Sequence, residues 1–145
     1  MGEILLKLAV FGIFGLGLEV ICTSVYAFFS KESVFSGNLN RRSYLLGYSS
    51  MWYIPLYALA WPFLIIIHNY LPLIPWLLKG IIYAIFCHII EYLGMGILRK
   101  ILGKSPSEDN YKTSRFTIHG LTDLRLFPWF FIAGFSFEWL YFHIA

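Results

Sequence analysis

Three glutamates lie in the middle of long apolar stretches of the sequence: Glu19, Glu91 and Glu138. A charged side chain at the centre of a bilayer costs about 2.5–3.5 kcal/mol on insertion scales. Acids in such places therefore face one another, a cavity or water, or they are protonated, and they commonly mark ion or proton pathways. We expect these carboxylates to form a mid-membrane site for a proton, an ion or a polar substrate.

His88 is the expected partner in this site, because it precedes Glu91 by three residues, which is about one turn of helix. Di-iron bundles combine Glu-x-x-His pairs with further glutamates, but here the order is His-x-x-Glu and it occurs once. The sequence also has no HExxH motif, no closely spaced cysteine pair and no GxSxG motif. We expect no metal and no cofactor, whereas acid–base chemistry by Glu and His stays open.

The composition excludes an ordinary soluble domain. Of the 145 residues, 59% are hydrophobic and 13% are charged, whereas about 25% are charged in a typical soluble domain. A soluble protein this apolar would expose large hydrophobic patches. No basic patch is interleaved with aromatic residues, so no nucleic-acid partner is expected. The expected fold class is an all-α, polytopic membrane protein with the lipid bilayer as its partner.

Four segments are long and apolar enough to be membrane-spanning helices, which need roughly 20 residues. Pro55 and Pro62 lie in the second segment and predict kinks there. We expect a single domain, residues 1–145, with spans at about 4–29, 44–67, 77–98 and 126–144 and a basic connector at 99–125.

The positive charges predict the orientation of the four spans. Nine of the 11 lysines and arginines fall in the two connectors that four spans place on one side of the membrane. By the positive-inside rule both connectors are cytoplasmic and both termini are outside. Lys79, on the other side, is expected to extend towards the lipid headgroups. The first span is too long for a signal peptide, and the expected location is the cell membrane, multi-pass.

The depths of the polar residues allow one shared site. With a rise of 1.5 Å per residue, the three glutamates and His88 come out within roughly 10 Å of one another in depth. Tyr57 and Ser50 are expected to line this site from the second span. The alternative is that each glutamate hydrogen-bonds a neighbouring helix and only stabilises the bundle.

A short pattern, Phe-x-x-x-Gly-x-x-x-Glu, occurs in the first and the last span. It comprises Phe11, Gly15 and Glu19 in one copy and Phe130, Gly134 and Glu138 in the other. The two spans would run in opposite directions, as in the inverted repeats of transporters. Plain helix packing by Phe and Gly is the alternative interpretation.

Four groups of residues give the chain a resemblance to a known family. They are Gly15 to Glu19 with Thr23 and Ser24; Ser50, Trp52, Pro55 and Tyr57; Glu91, Gly94, Leu98, Arg99, Gly103, Pro106 and Tyr111; and Gly134 with Glu138. On these residues the chain resembles the transmembrane-protein-229 family, also described as ABC-transporter type IV or CmpB-like permeases. Two positions differ from the family pattern, where Ala58 replaces a Gly and Ser107 a Trp. The resemblance implies a four-helix membrane fold and adds Trp52 to the candidate site.

The expected function is binding or translocation of a small molecule, ion or lipid at the glutamate site, in the manner of a permease. Two alternatives stay open: an intramembrane enzyme acting on a lipid or isoprenoid, and a non-catalytic subunit of a transporter complex. The chain has no Walker motif, so an ATPase partner would be a separate subunit, and four helices favour a homo-oligomer. In the connector the candidate residues are Arg99, Tyr111 and Arg115.

Overall fold

The structure, a computed structural model, describes residues 1–29, 47, 49–111 and 114–144. These residues are mostly helical, as predicted, and the chain divides into two compact units, Met1–Leu59 and Ala60–Ala145. Each unit is described by itself. Several predicted features lie outside the described residues: the start of the second span, Lys31, Glu32, Arg41 and Arg42 of the first connector, and Lys112 of the second.

The first unit contains one long helix and a short helical segment that packs on it. Helix α1 is Gly2–Phe29, and the segment consists of a 3-10 turn, Met51–Tyr53, followed by α2, Ile54–Ala58. A Cβ atom at Gly12 would lie 2.7 Å from Cγ2 of Ile54, whereas one at Gly17 would meet nothing within 4 Å. One side of α1 is therefore smooth because it lacks side chains, and the backbone of α2 approaches there.

The second predicted span is interrupted rather than continuous. Helix α2 ends at Ala58 and helix α3, Ala60–Tyr70, begins after Leu59. The amide of Leu59 donates to the carbonyl of Leu56, 3.2 Å away, in a tighter turn than that of an α-helix. Pro62 follows within one turn, and it cannot donate to the carbonyl four residues earlier. Pro62 thus accounts for a break where the sequence predicted a kink, whereas Pro55 lies in the first turn of α2, where a helix tolerates proline.

The second unit is built on two antiparallel helices, α4, Trp76–Leu102, and α6, Phe127–Ile144. Helix α4 ends at Gly103, whose φ of 79° is the left-handed conformation that favours glycine. The antiparallel register follows from three contacts, Lys79 with Glu138, Tyr83 with Gly134, and His88 with Phe130.

The segment between α4 and α6, predicted only as a basic connector, is folded. It contains a one-turn helix α5, Glu108–Tyr111, and a hairpin of β1, Thr117–Ile118, with β2, Thr122–Asp123. The hairpin turn has positive φ at both His119 (53°) and Gly120 (72°), as a type I′ turn requires. The pairing of Ile118 with Thr122 directs the strand back towards α4.

Three helical segments in the described part of the chain are long and apolar enough to cross a membrane. They are Gly2–Tyr26, Met51–Tyr70 and Trp76–Leu102. This finding is consistent with a location in a membrane. Helix α6, whose 18 residues include Glu138 and His143, is not among the three.

Candidate functional site

Glu19 in the first unit is bound by two hydroxyl groups. Its Oε2 accepts hydrogen bonds from Ser49 Oγ at 2.6 Å and from Tyr57 Oη at 2.7 Å. Tyr57 reaches this position because Gly15, one turn before Glu19, has no side chain. A Cβ atom at Gly15 would lie 2.2 Å from Cγ of the Tyr57 ring. Tyr57 was predicted to line the glutamate site, and its contact with Glu19 has this specific geometric basis.

The other two residues predicted from the second span have different roles. Ser50 caps the 3-10 turn, because its Oγ accepts from the amide of Trp52 at 3.4 Å, and the Trp52 side chain is exposed. The backbone of Ser50 is extended, so neighbouring side chains point in opposite directions. That is why Ser49, and not Ser50, contacts the carboxylate. In sequence, a serine shortly before a proline at the start of a helix is a signal for an N-cap. Ser50 could have been recognised as an N-cap from this signal.

Glu138 in the second unit pairs with a lysine. Lys79 Nζ donates to Glu138 Oε1 at 2.9 Å, and the two side chains are 17% and 11% exposed. Lys79 thus turns inward to the acid instead of extending to the headgroups as predicted. His68 Nε2 lies 3.2 Å from the same oxygen. This contact is not aligned as a hydrogen bond, and Nε2 has no hydrogen-bond partner among the described residues. The Tyr83 hydroxyl interacts electrostatically with Glu138.

Glu91 is held by two hydroxyl groups from the folded connector. Its Oε1 accepts from Tyr111 Oη at 2.7 Å, and its Oε2 accepts a short hydrogen bond from Thr122 Oγ1. Thr122 Oγ1 in turn lies 2.8 Å from His88 Nδ1. Glu91, Thr122 and His88 are all buried. The predicted partnership of His88 with Glu91 therefore passes through the Thr122 hydroxyl.

The hydrogen bonds define which nitrogen of His88 carries the proton. A threonine hydroxyl has one hydrogen to donate, and Thr122 donates it to Glu91. His88 Nδ1 must then be the donor to Thr122, so Nε2 of the neutral ring has a free lone pair. Within the described ranges Nε2 has no hydrogen-bond partner. The ring lies between Phe127 and Phe130, with centroid distances of 6.1 and 4.7 Å.

Arg99 fastens the connector to the end of α4. Its Nε donates a short hydrogen bond to Glu108, and its guanidinium also donates to the carbonyl of His119 at 2.6 Å. The hydrogen bond from Arg99 is the main cause that lowers the pKa of Glu108 below its usual value. Arg115, the other predicted connector arginine, is exposed.

Asp123 is a second anchor of the connector, directly after Thr122. It is 1% exposed and forms an ion pair with Arg125 at 2.8 Å. Burial alone would raise the pKa of Asp123, but the hydrogen bonds from Arg125 and Ser114 and the charge of Arg125 together lower it.

Each of the three glutamates has its own set of partners among the described residues. Glu91 and Lys79, the partner of Glu138, are 12 residues apart on α4, about 18 Å of helix rise, and Glu19 has partners within the first unit. The sequence analysis missed Ser49, Thr122 and Tyr83 because only the folded loops and the helix register place them. For Lys79 a sequence signal did exist: its charge is opposite to that of Glu138, which lies in another predicted span that runs antiparallel to its own. No group of three metal-binding side chains occurs among residues that the structure describes.

Comparison of the chain with protein-family models, with curated proteins and with solved structures gave no match.

Proposed function

We propose that this protein is a multi-pass protein of the cell membrane that binds and translocates protons, alone or together with a polar solute. The observation that carries the proposal is the hydrogen-bonded chain from His88 through Thr122 to Glu91. The Glu91 carboxylate forms one end of this chain. At the other end, Nε2 of His88 has no hydrogen-bond partner among the described residues. Ionisable residues inside membrane spans typically serve such proton relays.

The chain can pass one proton from His88 Nε2 to the Glu91 carboxylate, which holds that proton at the end of the step. A proton that binds at His88 Nε2 forms an N–H bond there, and the Nδ1–H proton moves to Thr122 Oγ1. The Thr122 hydroxyl proton moves to Glu91 Oε2 at the same time. Thr122 is again a hydroxyl, His88 is again neutral in its other tautomer, and Glu91 has become a neutral acid.

The surroundings favour proton transfer over covalent catalysis at this site. Thr122 is 1% exposed, and its hydroxyl donates to Glu91 and accepts from His88. A nucleophilic hydroxyl would need the opposite arrangement, with its hydrogen donated to the imidazole.

We further propose four membrane spans with both termini outside, and membership of the transmembrane-protein-229 family. Helix α6 has 18 residues, about 27 Å of rise, which approaches the roughly 30 Å of a bilayer's hydrocarbon core. It packs along α4, so a membrane that α4 crosses is also crossed by α6. The distribution of lysine and arginine supports a cytoplasmic connector. A homo-oligomer, or a separate ATPase subunit, would complete the pathway.

Purified protein in liposomes containing a pH-sensitive dye tests the function. An imposed pH gradient should collapse faster in the presence of the protein, and Glu91→Gln and His88→Gln should each abolish this effect, because each removes one end of the relay. Glu3→Gln is the matched control, since the Glu3 side chain is 79% exposed near the N-terminus, and it should behave as wild type. Equal proton flux in wild type, Glu91→Gln and His88→Gln would disprove the proposal.

A further inference from the structure

The hairpin of β1 and β2 carries two exposed apolar side chains at its open end, the end opposite the turn. Phe116 and Leu124 face each other just beyond the paired strands, where the amide of Leu124 donates to the carbonyl of Phe116 at 3.1 Å. These two residues are 60% and 47% exposed. Exposed apolar side chains that adjoin one another, unlike single scattered ones, indicate an interaction surface.

The open end of the hairpin lies where α6 begins. Leu124 is three residues before Phe127, the first residue of α6, whose ring stacks with His88 of α4. The turn lies further along α4, because Arg99 donates to the carbonyl of His119. The hairpin therefore runs alongside α4, and its open end is level with the start of α6. In the proposed four-span arrangement, this level is the cytoplasmic boundary of the membrane.

The connector around the hairpin has an excess of positive charge. Residues 99–125 include six basic and three acidic side chains. Each acid forms an ion pair with one base: Glu108 with Arg99, Asp109 with Lys104, and Asp123 with Arg125. Two further basic residues are exposed, Arg115 directly before Phe116 and Lys100 directly after Arg99. The acids of the connector thus leave the charges of Arg115 and Lys100 to a partner outside this chain.

We propose that the open end of the hairpin binds anionic phospholipids of the cytoplasmic leaflet. Phe116 and Leu124 insert at the boundary between headgroups and acyl chains, as apolar residues of interfacial segments do. Arg115 and Lys100 bind the lipid phosphates, and a guanidinium can donate two parallel hydrogen bonds to such a group. The cytoplasmic leaflet carries a negative surface potential that attracts basic segments beside a membrane span.

A lipid fits this surface better than a soluble partner protein, because the apolar pair is continuous with the start of a proposed membrane span. The inference rests on the proposed four-span arrangement with a cytoplasmic connector, and it does not involve proton transfer. Proton flux in Glu91→Gln therefore decides the proposed relay separately from the lipid measurements below.

Photochemical cross-linking of the full chain in lipid nanodiscs tests the surface. The nanodiscs contain equal amounts of phosphatidylglycerol and phosphatidylcholine, each with a diazirine on the acyl chain close to the glycerol. Trypsin separates the hairpin, residues 116–125, from α6, residues 126–145, since cleavage follows Arg115 and Arg125. The hairpin peptide should carry both lipids with phosphatidylglycerol in excess, and the α6 peptide should also be labelled.

The labelling pattern separates the surface from the arrangement of spans. Label on the α6 peptide without label on the hairpin peptide would disprove lipid binding by the hairpin and leave the four spans intact. It would also indicate an occupant outside the bilayer, such as a separate subunit. An unlabelled α6 peptide would refute both the four-span arrangement and the lipid surface.

Variants of Arg115 test the selectivity for anionic lipid. Arg115→Gln should lower the ratio of phosphatidylglycerol to phosphatidylcholine on the hairpin about fivefold, the factor expected for one basic side chain near an anionic surface. Arg115→Lys is the matched control, because it keeps the charge and should keep most of the ratio. Added inorganic phosphate should leave the ratio unchanged. Equal ratios in Arg115→Gln and wild type, or a loss of lipid labelling on adding phosphate, would overturn the proposal.

Phe116→Ser tests the apolar part of the surface. Total labelling of the hairpin peptide should fall severalfold, because a serine has no apolar surface to bury among the lipids. Leu73→Ser is the control, since Leu73 is 94% exposed in the turn between α3 and α4, and it should label the hairpin like wild type. Equal hairpin labelling in Phe116→Ser and Leu73→Ser would show that the ring does not enter the bilayer.

Discussion

The ring of Tyr57 occupies the space where a side chain at Gly15 would begin, and its hydroxyl binds Glu19 one helical turn further on. The same relationship recurs in the second unit. There the Tyr83 ring fits against Gly134, and its hydroxyl interacts with Glu138, again one turn further on. In both places a glycine brings a tyrosine close enough for its hydroxyl to approach a glutamate carboxylate.

Gly15→Ala should destabilise the protein by about 1–3 kcal/mol, the usual cost of an overpacked contact. The added Cβ would overlap Cγ, Cβ and Cδ2 of Tyr57, and the displaced ring would withdraw its hydroxyl from Glu19. Gly17→Ala is the matched control on the same helix, since its Cβ would meet nothing within 4 Å. Unfolding of the purified protein, followed by circular dichroism, should show a lower midpoint for Gly15→Ala alone. Equal midpoints for the two variants would contradict the close approach of Tyr57.

Gly134→Ala should likewise destabilise the second unit by about 1–3 kcal/mol. Its Cβ would lie 2.4 Å from the Cβ of Tyr83, which belongs to a helix and cannot rotate away. Gly96→Ala on α4 is the control, because its Cβ would make an ordinary contact of 3.7 Å with Leu121. The same unfolding measurement tests the pair, and a Gly134→Ala variant as stable as Gly96→Ala would refute the interpretation.

The sequence predicted the mostly helical fold because apolar runs of sufficient length are a local property. It also contains Phe, Gly and Glu four residues apart in two segments, and it suggested His88 as a partner of Glu91, which the structure links to it through Thr122. It could not predict that Tyr57 and Tyr83 face the two glycines, because that depends on which helices pack together and in what register.

The folded connector shows a second limit. Thr122 contacts Glu91 only because a short hairpin, with three residues between its paired strands and positive φ at His119, directs the strand back onto α4. Residues other than glycine rarely adopt positive φ, although histidine does so more often than most, so the turn carries a weak signal. A single site containing Glu19, Glu91 and Glu138 was inferred from depth alone, whereas the partners of each acid depend on its own surroundings.

Lys79→Met should destabilise the protein by about 3–5 kcal/mol, since it leaves the mostly buried charge of Glu138 without its cation. The double variant Lys79→Met with Glu138→Leu should be more stable than Lys79→Met, because the uncompensated charge is gone. A double-mutant cycle of unfolding free energies checks this. Additive effects of the two substitutions would show that Lys79 and Glu138 do not interact.

Tyr111→Phe should loosen the connector without unfolding the helices. The hydroxyl of Tyr111 is one of the two connector groups that bind Glu91, and a lost hydrogen bond to a charged group costs about 1.5–3 kcal/mol. Amide hydrogen exchange in residues 114–123 should therefore become faster, while exchange in α4 stays slow. Tyr70→Phe should leave both rates unchanged. Faster exchange throughout α4 would instead indicate global destabilisation.

The Asp123 anchor should confer stability that is independent of pH from neutral to mildly acidic conditions. The folded-state pKa of Asp123 is below its ordinary value of 3.8, so the unfolded chain binds a proton at higher pH than the folded protein does. Its contribution is complete above the ordinary value and is lost as the pH falls through the lower, folded-state pKa.

Asp123→Asn tests this sign. The variant should be less stable than wild type by about 1–3 kcal/mol at pH 7, the cost of unsatisfied buried partners. The difference in unfolding free energy should be constant down to about pH 5 and shrink below pH 4, following the linkage of protonation to folding. Asp109→Asn, in the exposed pair with Lys104, should change the stability by less than about 1 kcal/mol. A difference for Asp123→Asn that already disappears between pH 7 and 5 would mean that the pKa of this carboxyl is raised, and that Arg125 does not compensate its burial.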